Sequence, residues 1–177
     1  MRIPKALKNT SLVVGALISL AIIFCAVFAP FVATHGVEQM DMINRFAWPT
    51  PGHILGTDNF GRDLWSRLVY GARVSLSIAI ISVACAAVVG TVVGLVSGYF
   101  GGWVDQLLMR ITDIFLGFPP LVLALAIVAV MGPGITNISF AIIIVTWTEY
   151  ARVVRATTLV LREQNYVQAA RALGANP

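Results

Sequence analysis

The side chains able to do chemistry are few in this sequence, and they stand apart. Glu149 and Arg152 are three residues apart beside an uncharged stretch, and Asp105, Arg110 and Asp113 stand ahead of it. Such spacing makes an ion pair on a helix face or a gating charge in a low-dielectric path, and both readings stay open for Glu149 and Arg152. Asp113 is expected to pair with Arg110. No nucleophile with its base, no paired catalytic carboxylates and no metal cluster is visible, so the chain is not expected to be an enzyme or to carry a cofactor. His53 has no second His or Cys near it in the sequence and is expected to be a solvated loop histidine. Gly56 and Gly61 copy the glycine spacing of a phosphate loop, but Arg62 and Asp63 follow where Lys and Ser or Thr are needed, which excludes nucleotide binding there. Cys25 and Cys85 lie inside apolar runs and read as small buried residues. What remains is recognition. Asn165 is placed to cap a short helix with Gln168 three residues on, and Gly174 and Pro177 are placed to stop it. Tyr166, Ala169, Ala170 and Leu173 share one face, whose small residues admit a partner's backbone. A helix of two turns needs such docking to be ordered.

The elements that position these residues are membrane helices. With 58% hydrophobic residues, 11% charged residues and a mean hydropathy of +0.86, the chain has too little polar surface for a soluble domain. The net charge of +4 comes from separate basic groups rather than one face, which argues against nucleic acid and for the positive-inside rule. Residues 12–32 form an apolar run of 21 residues, enough for one span and longer than the core of a secretory signal. Residues 33–73 are polar and read as an outer loop. Within it Trp48-Pro-Thr-Pro51 is extended, and Thr57 or Asp58 caps an interfacial helix with an apolar stripe of Leu64, Trp65, Leu68 and Val69 and an Asp63–Arg67 pair. A second span covers 74–95. Gly90, Gly94 and Gly98, extended by Ala86, make a stripe for close helix packing, with a partner either inside the chain or in another subunit. Gly132-Pro-Gly134 divides the next apolar run into a third span at 110–131, kinked at Pro119-Pro120, and a fourth at 135–154. Arg2, Lys5 and Lys8 at one end and Arg152, Arg155, Arg162 and Arg171 at the other are both cytoplasmic if the number of spans is even, and four satisfies this.

Gln168-Ala169-Ala170, three residues, then Gly174 resembles the cytoplasmic Glu-Ala-Ala-x-x-x-Gly loop of the membrane subunits of bacterial ABC importers, with Gln in place of the first Glu. The longer stretch from His53 to Arg73, with Gly-Thr-Asp-Asn-Phe-Gly-Arg-Asp at its centre, is similar to a signature of dipeptide, oligopeptide and nickel importer permeases. The resemblance implies an all-α, polytopic helical membrane protein of the type I ABC importer permease kind, with about four transmembrane helices, in the bacterial cytoplasmic (inner) membrane. It implies that Tyr166, Gln168, Ala169, Ala170, Leu173 and Gly174 couple to an ATP-hydrolysing subunit. The implied partners are ATP-binding ABC subunits, a second permease subunit, an extracytoplasmic solute-binding protein and membrane lipid, and no nucleic acid. The organisation expected is a cytoplasmic N-terminus and first span at 1–32, the extracytoplasmic loop at 33–73, a three-helix core at 74–157 and a cytoplasmic coupling loop at 158–177. Dipeptide, oligopeptide, nickel chelate and glutathione all remain open as cargo. The family's motif continues past its Gly and its permeases cross the membrane again, so this chain is expected to be a fragment or to be completed by another polypeptide, inserting without transporting. A self-contained channel or structural membrane protein without an ATPase partner is the alternative.

Overall fold

A computed structural model of the chain describes residues 10–174. It is all-helical: α1 (Thr10–Val27), α2 (Ala29–Val32), a three-ten turn (Met42–Asn44), α3 (Leu64–Phe100), α4 (Gly102–Leu116), α5 (Pro120–Met131), α6 (Ile135–Arg162) and α7 (Asn165–Ala172). The chain divides into two compact units, Met1–Ser77 and Ile78–Pro177. The basic residues Arg2, Lys5 and Lys8 and the stop at Pro177 lie outside the described residues, as does the side chain of Arg171.

In the first unit α1 is apolar all round and buries only Ala26 within the protein, which is how a lipid-facing helix reads. The loop after α2 is a polar knot tied by the residues of the Gly-Thr-Asp stretch. The Thr57 hydroxyl donates to the Asn44 carbonyl and accepts the Ala47 N–H at 2.9 Å. Asp58 accepts the Phe60 and Arg62 N–H groups at 2.8 and 3.0 Å and also binds the Arg62 and Arg67 guanidinium groups. Gly61 is left-handed, with φ 72°, and a Cβ there would collide with the Asp41 carbonyl.

Two expectations are corrected here. The helix begins at Leu64, not after Thr57 or Asp58, and instead of a separate interfacial helix it is the start of the 37-residue α3. Its cap is Asp63, whose Oδ2 accepts the Ser66 N–H at 2.8 Å. The Asp63 carboxylate is therefore turned back onto its own helix start, and Arg67 reaches Asp58 rather than Asp63.

In the second unit Gly101 and Gly102, both with positive φ, turn the chain from α3 into α4. The proline pair does more than kink a single span. Pro119 and Pro120 supply no N–H, α4 stops at Leu116, Pro120 opens α5, and the two helices bend by 84°. By length and composition, the clear spans among the described residues are fewer than the four expected. Two helices, α1 and α3, are long and apolar enough to cross a membrane, or three if the bent α4–α5 pair is one span. Although α6 has 28 residues, Asn137, Glu149, Arg152 and a run of threonines dilute its apolar character.

Candidate functional site

The chain leaves α6 at Glu163 and starts α7 almost at once. The Gln164 carbonyl accepts the Val167 and Gln168 N–H groups at 3.0 and 3.1 Å, so Gln164 is the cap and Asn165 the first helical residue, one position later in the helix than expected. The Gln168 side chain reaches back to the Glu163 carbonyl at 3.3 Å and ties the corner between the helices. Val167 is half-buried. Tyr166, Gln168, Ala169, Ala170 and Leu173 are all exposed, Leu173 at 89%. Gly174 is left-handed, with φ 88°. The small apolar face of α7 is thus open, and the corner bonds of Gln164 and Gln168 tie the helix to the end of α6.

The glycine stripe lies against α6. A Cβ at Gly90 would collide with the Trp147 carbonyl and lie 2.5 Å from Tyr150 Cβ, and one at Gly94 would stand 2.8 Å from Val154 Cβ. One at Gly98 would be 2.7 Å from Thr158 Cβ. Contacts this close leave room for hydrogen only.

Three α6 arginines fasten α6 to its neighbours, two to α4 and one to α3. Arg155 grips Asp105 of α4 with two nitrogens, Nη2 at 2.6 Å, and Asp105 also accepts the buried Ser97 hydroxyl. Arg162 donates to the Tyr99 carbonyl at 3.2 Å. Arg152 donates to Asp113 at 2.8 Å. Arg152 is therefore paired across helices and not with Glu149, and Asp113 is paired with Arg152 and not with Arg110. The reason is geometric: α4 lies alongside α6, so an inter-helix partner meets Arg152 head on. Glu149 is exposed and has no ion-pair partner among the described residues. Sequence reasoning missed the Asp105–Arg155 clamp, although arginines at 152, 155 and 162 repeat at helical spacing and point to one guanidinium-bearing face.

His53 is not a solvated loop histidine. Its Nδ1 is 3.0 Å from Asp63 Oδ1 and its ring stacks on His35 with centroids 4.6 Å apart. The Asp63 carboxyl is 2% exposed; burial raises its pKa, but the Ser66 N–H and hydroxyl, His53 and Thr34 outweigh that and hold it below the ordinary value.

Residues 90–177 match the family model described as the binding-protein-dependent transport system inner membrane component, and residues 5–49 match the N-terminal TM domain of oligopeptide transport permease C. The chain is 42% identical over 167 residues to the dipeptide transport system permease protein DppC of Alkalihalophilus pseudofirmus, covering 94% of this chain and 55% of that protein. It is 39% identical over 173 residues to the glutathione transport system permease protein GsiD of Pectobacterium atrosepticum, covering 96% and 57%. It is 40% identical over 171 residues to the probable D,D-dipeptide transport system permease protein DdpC of Escherichia coli, covering 96% and 57%. The chain spans a little over half the length of these curated relatives. With its apolar helices and matches at both ends, the chain belongs to the family of dipeptide, oligopeptide and glutathione ABC transporter permeases and is a multi-pass protein of the inner membrane.

Proposed function

We propose that this chain acts as the transmembrane permease subunit of an ABC importer for peptides or a related small solute, with α7 as the helix through which ATP hydrolysis in a partner subunit is coupled to translocation. One observation carries the reading: α7 is eight residues long and leaves Tyr166, Ala169, Ala170 and Leu173 uncovered. A two-turn helix with a small apolar face gains order from a partner that closes over it. The partners this implies are ATP-binding ABC subunits, a second permease and an extracytoplasmic solute-binding protein. The finer topology is also a proposal: α6 is the fourth span beside α1, α3 and the bent pair, so that the N-terminus and α7 share the cytoplasmic side. Its polar groups tolerate lipid depth because Arg152 and Arg155 are neutralised by Asp113 and Asp105. Glu149 is left to a gating or coupling role.

The test is co-purification of the chain with an ATP-binding subunit of a peptide importer expressed together with it. Ala170→Trp should overfill the docking face, costing about 1–3 kcal/mol of contact, and should abolish retention of the ATPase while membrane insertion is unchanged. Equal retention by the wild type and the variant would show that α7 is not the docking element.

A further inference from the structure

The polar knot of the first unit contains more ligand atoms than its fold uses. Capping α3 takes only Oδ2 of Asp63, which accepts the Ser66 N–H at 2.8 Å and the Thr34 hydroxyl at 3.2 Å. Oδ1 is left facing His53 Nδ1 at 3.0 Å. His35 is carried into the same place by its own N–H, which donates to the fully buried Ser66 hydroxyl at 3.0 Å. Its Nδ1 lies 3.1 Å from the Thr34 hydroxyl. Because that hydroxyl gives its hydrogen to Asp63, it accepts from His35 Nδ1–H, and the other ring nitrogen of His35 keeps its lone pair. One ligand atom from each of His35, His53 and Asp63 lies within 4.8 Å of the others. A polar cavity of about 100 Å³, lined also by Gln39, Asp41 and Gly61, adjoins the three and has room for an ion and its waters.

We propose that His35, His53 and Asp63 form a binding site for a divalent transition-metal ion of the zinc class. Two imidazoles and one carboxylate with an open position for water make a donor set that suits zinc and its neighbours and not magnesium or calcium, which take oxygen ligands. Thr34 and the Ser66 N–H hold the carboxylate and one imidazole in place, as supporting groups do around a metal. Entry of the ion at His53 Nδ1 displaces the proton shared with Asp63 to solvent, so neutral imidazoles and an ionised carboxylate bind the cation. The inference is independent of the α7 reading, since every residue in it lies in the first unit.

The test uses the full chain in detergent, carrying no polyhistidine tag and with Cys25 and Cys85 alkylated, titrated with zinc against a chromophoric chelator. One zinc per chain is expected. His53→Ala and His35→Ala should each weaken binding by about tenfold or more, and Thr34→Val by about tenfold through its supporting role. Cobalt should give the intense visible absorption of a four-coordinate site, lost in His35→Ala. Should His53→Ala fail to fold, His35→Ala decides, because its ring bonds to Thr34 and stacks on His53, and its removal leaves the Asp63–Ser66 cap intact. Absence of stoichiometric zinc binding by the wild type, or an affinity unchanged in His35→Ala, would overturn the proposal.

Discussion

Asp58 is the side chain on which most of the first unit's polar loop converges. Burial pushes its pKa up, but the Arg62 and Phe60 N–H groups and the Arg62 guanidinium outweigh this and hold it at about 2, below the ordinary 3.8. A carboxyl depressed on folding contributes stability above its unfolded pKa and loses it as pH falls towards the folded one. The fluorescence of Trp48 and Trp65 should therefore hold steady down to about pH 4 and change between there and about pH 2. Asp58→Asn should remove that step and destabilise the loop at neutral pH. On α4, Asp105→Asn weakens the grip on Arg155, and a cost of about 2 kcal/mol in thermal unfolding is expected, the range for hydrogen bonds to charged groups. Tyr99 is different: its hydroxyl is buried without a partner among the described residues, so Tyr99→Phe should be neutral or stabilising. These roles were only partly legible in the sequence. The Asp63–Arg67 pair follows the i,i+4 rule of a helix interior, but Asp63 is a cap, and a cap turns its carboxylate onto the backbone. Asp58 meets Phe60 and Arg62 through an Asx turn and Arg67 nine residues on, a partner that no helix or strand spacing points to.

Among the elements, the glycine stripe was the clearest feature of the sequence, because three glycines spaced by four in an apolar helix leave one face without side chains. Its partner was not legible: α6 begins more than thirty residues after Gly98, and nothing local marks which helix returns. Gly94→Ala should cost about 1–3 kcal/mol in detergent, since its Cβ would stand 2.5 Å from the Ala151 carbonyl oxygen. Gly71→Ala, with nothing within 4 Å, should be neutral or stabilise α3 by up to about 1 kcal/mol. The contrast between the two separates packing from helix propensity. The break after α4 was read as a kink because single prolines bend helices; two in succession end one. The α7 boundary moved by one residue because a helix entered directly from another takes its first acceptor from the connecting residue's carbonyl, whatever that residue's side chain.

For the whole molecule, composition alone established a helical membrane protein, whereas the number of spans depended on α6, whose inter-helix ion pairs no single stretch of sequence discloses. The topology proposed above predicts that single cysteines at Thr50 and Thr136 react with an impermeant thiol reagent in intact cells, and that one at Asn165 does not. Labelling at Asn165 would reverse it. The α3–α6 contact has a mechanical consequence. Gly90, Gly94 and Gly98 fix how far apart the two helices are, while Arg162 on the Tyr99 carbonyl forbids sliding and Arg155 on Asp105 pins α4 to the same strut. A slide of one residue is about 1.5 Å, more than a bidentate pair tolerates. Separation and translation are thus both set there, so α3, α4 and α6 form one strut, and the chain turns away from it at the 84° bend before α5.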